Sequence, residues 1–412
     1  MKSSFPVLLT AVLLLMIPVN LYAQNGNDPG SGYGDVLGQR DVNTITTAVP
    51  FLMIAPDARS GALGDAGVSS TPDINSMHWN PAKYAFMEQE MGVAVSYTPW
   101  LRSLVPDINL SYLTGYRKID DLQTVAFSLK YFTLGDVNFT DEVGNPMGTV
   151  RPNEFSIDAA YSRILGQHLS GAIAARFIYS DLTQGQMAGS IPTEPGISLA
   201  ADVAAYYERD LNWQNTPATF SAGINISNMG NKISYTEDIN ADFIPINLRI
   251  GPSINLELDD YNQLAFMIDF NKLLVPTPPI YARDDNGQVK IDDDGEYVIA
   301  EGEDPNRSVV AGMLGSFSDA PGGFSEEMQE ITISAGAEYW YEEQFALRAG
   351  YFHEHESKGN RKYFTFGLGL KYNVFGLDFA YLVPVAQRSP LENVLRFSLS
   401  FDFQALSMEQ TP

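Results

Sequence analysis

Few side chains in this sequence could do chemistry. Its histidines are His78, His168, His353 and His355, and it has no cysteine. Without thiols there can be no disulfide, thiolate metal site, cysteine nucleophile or lipidated N-terminal cysteine. A hydrolytic centre would set a histidine beside a serine nucleophile, yet no G-x-S-x-G or comparable pattern occurs. His353 and His355 share "FHEHES". Alternate strand residues point the same way, so the pair could touch a divalent ion, but no third ligand follows. A solvated loop start is the better reading. Nine acids lie among residues 284–304, in "DDNGQVKIDDDGEYVIAEGED". Neither Gly287 nor Gly295 is preceded by the three alternating acids of a calcium loop; Ala282 and Lys290 occupy the first ligand positions. This run reads as a hydrated surface loop. No catalytic residue, metal site or cofactor is expected.

The elements that would have to position any site are more informative. The 412 residues carry a formal charge of −25. Each phosphate contact needs a cation, so no nucleic-acid partner is expected of so acidic a chain. Residues 1–23 read as a secretory leader: Lys2, then the apolar "FPVLLTAVLLLMIPVNL", then a small residue, Ala23, before Gln24. No later apolar run is long enough to cross a bilayer as a helix.

From residue 89 onward the chain alternates apolar and polar residues with the period of a β-strand. Examples are Val93, Val95 and Tyr97; Ile108, Leu110 and Tyr112; Val125, Phe127 and Leu129; Ile173, Ala175 and Phe177; and Leu395, Phe397, Leu399 and Phe401 in "VLRFSLSFDF". About fourteen such segments occur, most near the ten residues that a tilted transmembrane strand needs. Their connections alternate in length. "RKIDD", "ILGQH", "LDDYN", "YEEQ" and "KYNV" are short, whereas those around 133–152, 181–195, 228–243, 272–329, 354–361 and 383–392 are long. One, "ERDLNWQNTPA" at 208–218, is longer than its class. Tight turns on one side and long loops on the other mark an outer-membrane barrel. An open edge in hydrocarbon would leave backbone groups unpaired at several kcal/mol each, so closure is required. The fold expected is all-β membrane: an antiparallel outer-membrane β-barrel of about 14 strands. Tyr97, Trp100, Tyr339, Tyr341, Tyr372 and Tyr381 fit its interfacial girdles.

The expected organisation is a signal peptide at 1–23, a flexible segment at 24–43, a plug at 44–88, the barrel at 89–404 and a tail at 405–412. The plug is expected because a barrel this wide cannot fill its lumen with its own side chains. The segment 44–88 is rich in Gly, Ala and Ser and lacks alternation. Asp57 and Arg59 stand in "APDARSGALGDAG", and Asn80 and Pro81 start a short helix as cap and first residue. Inward positions carry both signs: Asp158, Arg176, Asp202, Arg249, Asp269, Glu338, Arg348, Arg396 and Asp402. A selective pore would favour one sign along its constriction, so these read as a network tying plug to wall.

The long loop 272–329 opens with "NKLLVPTPPI". Leu273, Leu274, Val275, Pro276, Pro278, Phe317 and Phe324 are candidates for a partner-binding rim, as is His355 in the 354–361 loop.

Several stretches carry a family resemblance. "APDARSGALGDAG", "HWNPAKYAF", "FIPINLRIG", "DFNKLLVPTPP", "FSDAPGGFSEEMQEITISAGAEYWY" and "RAGYFHEHESKGNRKYFTFGLGLKYN" together resemble the PorV family of outer-membrane proteins of the type IX secretion system, which are similar to FadL-type barrels. The resemblance covers about residues 44–403. It implies a non-enzymatic component in the outer membrane of a Gram-negative bacterium, embedded among outer-membrane lipid and lipopolysaccharide. It further implies binding of secreted cargo proteins through their C-terminal signal domain, receipt from the translocon barrel, and delivery to the attachment complex containing the PorU sortase. An indirect link to lipopolysaccharide modification is also implied. The alternative is a FadL-type channel for hydrophobic small molecules, which would need an apolar pocket and a lateral opening. A lipid-A-modifying enzyme would need a histidine cluster at the membrane rim.

Overall fold

The computed structural model describes residues 43–403, apart from 103–104, 106, 141–145, 186, 189–190, 237–240, 285–286, 294 and 387–388. The expected leader at 1–23, all of the 24–43 segment except residue 43, and the 405–412 tail lie outside the described residues. Fourteen strands close into one barrel. They are β1 (Met91–Pro99), β2 (Asn109–Asp120), β3 (Gln123–Thr133), β4 (Asn153–Gly166), β5 (Leu169–Asp181), β6 (Gly196–Trp213) and β7 (Thr216–Gly230). The second half comprises β8 (Asn247–Glu257), β9 (Asn262–Leu273), β10 (Thr332–Tyr341), β11 (Phe345–His353), β12 (Lys362–Tyr372), β13 (Phe375–Pro384) and β14 (Leu395–Asp402). Every pairing is antiparallel between chain neighbours, and β14 returns to β1 with Phe397 opposite Tyr97 and Phe401 opposite Val93. None of the described helices is long and apolar enough to cross a membrane; the crossing is made by strands.

Alternation does the sorting. On β3, Val125, Phe127, Leu129 and Tyr131 point out, while Ala126, Ser128 and Lys130 are buried inside. Ile173 and Leu199 are 63% and 62% exposed in the isolated chain, which places large apolar groups against acyl chains. On β2 the expected register is reversed. Leu110 and Tyr112 are buried, because Ser111 rather than Tyr112 stands opposite the outward Tyr97. Leu110 meets an interior apolar cluster that includes Phe51 and Leu52, so apolar surroundings exist on both sides of this strand.

Short connections gather at one end. Gln214 and Asn215 form a two-residue turn with φ of 51° and 69°, the left-handed pair a tight hairpin needs. Residues 208–213 and 216–218, expected to belong to a longer connection, therefore continue β6 and β7 to strands of 18 and 15 residues. This hairpin outruns the hydrocarbon, so its tip need not be apolar. Long connections gather at the opposite, outer end. They include helices α3 (Val309–Gly315) and α4 (Phe324–Gln329).

Residues 51–87 are buried or half-buried throughout. This inner stretch holds two single-turn helices, α1 (Ala58–Gly61) and α2 (Ser76–Trp79), and a 3₁₀ helix at Pro81–Phe86. At the outer end Asn43 touches the long loops, its N–H donating to Ser357 O at 3.0 Å. Glu90 at the other end accepts from Lys118 N–H at 2.8 Å. Wall glycines admit the inner backbone: a Cβ on Gly223 would lie 2.1 Å from Val68 O, and one on Gly350 2.1 Å from Gly64 N.

Candidate functional site

Two polar assemblies stand out: one inside the ring, one at its outer rim. Inside, α1 starts where Asp57 accepts from Ser60 N–H at 2.8 Å as N-cap. Its second oxygen accepts from Trp79 Nε1 at 2.6 Å, joining α1 to α2. Asn80 accepts from Ala82 N–H at 3.0 Å, and its Nδ2 donates to Val68 O and to Ala205 O on β6. Pro81 occupies the first position of the 3₁₀ helix, where its missing N–H costs nothing.

Wall charges reach inward to this stretch. Arg59 donates to both oxygens of Glu338 on β10 at 3.0 and 2.7 Å and to Asp73 at 2.9 Å. Arg348, directly opposite Glu338 in the β10–β11 register, donates to Glu338 and to Asp378, each at 2.6 Å. Asp269 accepts from the amides of Gly67 and Val68 at 2.7 and 2.9 Å. Arg396 donates to Gly61 O at 3.1 Å and Asp65 at 2.9 Å. Arg176 joins Asp158 and Asp202 within the wall, and a bulge between Ala201 and Val203 brings Asn228 into the same group. Among the described residues, Arg249 hydrogen-bonds no carboxylate. It donates to Asn271 at 2.7 Å and His78 O at 3.3 Å and lies 4.6 Å over the Trp79 ring. Asp402 lines a cavity at the short-turn end, and one of its oxygens has no hydrogen-bond partner among the described residues.

Sequence alternation did not reveal Lys130. Its ammonium is buried and donates to Leu52 O and Ile54 O, both at 3.1 Å, and lies 3.1 Å from His78 Nδ1. Its position on the inward face of β3 was a signal; its partners, carbonyls 76 and 78 residues away, were not.

At the rim, Lys272 at the end of β9 donates to Glu327 at 2.8 Å and Glu330 at 2.5 Å. Lys358 pairs with Glu326 and Glu330, binding the 354–361 loop to α4. Thr277 donates to Glu330 at 2.7 Å, and Asn43 Nδ2 donates to Glu326 at 2.9 Å. Burial opposes ionisation of Glu326, but Lys358, the Gly322 amide and Asn43 together hold its carboxyl below the ordinary range. Burial raises Asp319 above that range.

The rim candidates divide. Leu274 and Val275 are 3% and 1% exposed, which corrects the expectation of a partner surface there. They pack with Phe51, Phe243 and Ile246 in a core at the outer end. Leu273, Pro276 and Pro278 are half-buried. His355 caps the 3₁₀ turn at Glu356–Lys358, its Nδ1 accepting from Ser357 N–H at 3.2 Å. Phe317 and Phe324 do face outward, and Val310, Leu314 and Met328, which alternation did not flag, join them. Val310 with Leu314, and Phe324 with Met328, are spaced i, i+4 and share a helix face.

Cavities of ≈ 500 and ≈ 580 Å³ open at the outer end, sharing Met53, Asp65 and Arg361 in their walls. A third, ≈ 220 Å³, lies at the short-turn end and shares no lining residue with them.

The chain is similar to several solved structures. The Pseudomonas putida toluene transporter TodX has 12% identity and a TM-score of 0.47, over 88% of this chain and 98% of that one. A Pseudomonas aeruginosa FadL homologue has 11% identity and a TM-score of 0.43, over 87% and 99%. LpxR from Salmonella typhimurium has 8% identity and a TM-score of 0.32, over 76% and 100%. No curated protein matches the chain. A family model described as "Type IX secretion system protein PorV" matches residues 37–280, more than half of the chain. The chain therefore belongs to the PorV family, and it is an outer-membrane β-barrel component of the type IX secretion system in a Gram-negative bacterium.

Proposed function

We propose that this barrel binds secreted proteins at its outer rim, through their C-terminal signal domain, and carries them through the membrane plane from the translocon barrel to the PorU attachment complex. The carrying observation is the exposed apolar ridge of Val310, Leu314, Phe317, Phe324 and Met328. Lys272 and Lys358 lock α4 in place, and α3 packs Val309 and Met313 against the apolar core at the outer end. An outward apolar surface on rigid support is what a protein-docking site requires. In this reading the protein is not an enzyme, and residues 44–88 serve as a plug whose charged contacts hold the lumen filled. That leaves the rim as the working surface.

A second reading, a channel for hydrophobic small molecules, draws on the outer cavities of ≈ 500 and ≈ 580 Å³. Against it stand the charges of Arg59, Glu338 and Arg348 across the interior, which a hydrophobic solute would have to displace at several kcal/mol each.

Pull-down from detergent extract tests the choice. The expected result is recovery of secreted proteins that share a C-terminal domain; recovery of none, with bound fatty acid instead, would favour the channel. Deleting residues 283–304 should leave the barrel heat-modifiable on gels while changing partner binding. Failure of the deleted chain to form a barrel would make the loop structural instead.

A further inference from the structure

The ridge has a neighbour of definite charge. Residues 284–304 hold nine acids and one cation, Lys290. The returning strand of this loop passes beside the ridge: a Cβ on Gly302 would lie 3.1 Å from the Pro321 ring and 3.4 Å from Asp319 O, between α3 and α4. Glu301, Glu303 and Asp304, which flank that glycine, are exposed, and so are Asp292, Asp293 and Glu296 further out. Of the two arginines that flank this stretch, Arg307 is paired with Glu303 and Arg283 donates to Gly287 O at 2.8 Å. The outward apolar pairs of α3 and α4 therefore stand beside a negatively charged border.

Resting on the rim-docking reading, we propose that the partner's matching face is an apolar patch bordered by lysine and arginine, and that the acids of 284–304 steer it onto the ridge. Two occupants compete for an apolar face at this height. The outer leaflet presents phosphate-rich headgroups, and an acidic border is repelled by them. A basic protein surface is attracted by the same border, and facing potentials of opposite sign raise the encounter rate and fix the register. Division of labour follows. The acids act at long range and set association. The ridge acts in contact, where desolvated aromatic and aliphatic anchors dominate holding strength.

The test uses the full mature chain in nanodiscs, with a purified C-terminal signal domain of a secreted protein from the same bacterium as probe. Association and dissociation are followed at low and high salt. The expected result is association slowed by roughly tenfold or more at high salt. A quintuple neutralisation, D292N/D293N/E301Q/E303Q/D304N, should slow it similarly at low salt and leave dissociation nearly unchanged. L314S/F324S should speed dissociation by about tenfold or more, with little change in association. All these side chains are exposed, and unchanged heat-modifiable mobility would verify folding of each variant. If the domain binds but its association ignores both salt and the five neutralisations, the basic-partner inference fails and the docking reading survives. If the domain does not bind at all, both fail. If vesicles of lipopolysaccharide displace the domain and bind the ridge in a manner abolished by L314S/F324S, the occupant is the membrane and the inference is overturned.

Discussion

The interior and the outer rim use the same chemical groups in opposite ways. Inside, the carboxylate of Glu338 is 2% exposed and takes hydrogen bonds from two guanidiniums. Asp269, also buried, takes two backbone amides. Charges removed from water must be paired and hydrogen-bonded, or folding suffers. At the rim, Glu327 and Glu330 are buried on Lys272, but a few residues away Phe324 is 79% exposed and Leu314 66%. There the ionic contacts fix a scaffold and the apolar groups have no cover. Ion pairs thus join the wall to the inner stretch in one region and hold a surface open in the other.

Breaking the interior should have the largest effect. Glu338→Ala takes the shared carboxylate from Arg59 and Arg348 and leaves each with one, Asp73 and Asp378. A loss of about 3–5 kcal/mol is expected, since three charge-assisted hydrogen bonds disappear from a buried site. Urea unfolding of the barrel in detergent would measure it; a loss under about 1 kcal/mol would mean that water already reaches this network. Next comes the close approach of backbone to wall. Gly223→Val puts a side chain where Val68 O lies 2.1 Å from the first carbon. It should cost about 1–3 kcal/mol by forcing the inner stretch aside. Gly166→Ala, which would meet nothing within 4 Å, should stay within about 0.5 kcal/mol. Equal losses for the two would show that Gly223 matters for strand propensity rather than for that approach.

Alternation made the barrel legible, because a strand between lipid and interior has two faces in different surroundings. It failed where that premise fails. Leu110 and Tyr112 read as lipid-facing, but the interior at the outer end is itself apolar, so period two marked a strand without telling its sides apart. The connection at 208–218 read as long because "ERDLNWQNTPA" is polar, although strand pairing continues beyond the hydrocarbon wherever backbone partners remain available. The inward charges were legible as a set from their positions on the strands. Their pairing was not, because period two fixes the face and leaves neighbours and depth open. Arg348 with Glu338 depends on the register of adjacent strands, and Arg59 with Glu338 joins residues 279 apart. At the rim, "LLV" at 273–275 is simply apolar, and no periodic signal separates a buried hinge from an exposed surface.

The rim can be loosened from one side chain at the end of β9. Lys272→Met leaves Glu327 uncompensated and Glu330 with Lys358 as its remaining ammonium. Amide exchange in Phe324–Gln329 should speed by about tenfold to a hundredfold, a local cost of roughly 1.4–3 kcal/mol, while strands β10 to β14 keep their protection. Faster exchange in those strands as well would mean that rim and wall unfold as one unit.

Acid should produce the smallest effect, and its sign distinguishes the two regions. Lys358, the Gly322 amide and Asn43 hold Glu326 below the ordinary carboxylate range despite its burial. A carboxyl with a depressed folded value stabilises fully above its unfolded value, and the stabilisation disappears as pH falls through the folded one. Between pH 8 and 6 the contact between α4 and the 354–361 loop should therefore be unchanged. It should weaken only on acidification below the ordinary carboxylate range. Amide exchange at Glu356–Lys358, measured against pH in wild type and Glu326→Gln, is the check. The variant should show in neutral solution the exchange that wild type reaches only in acid. A wild-type transition already complete at pH 6 would show that Glu326 does not set the acid response of this contact.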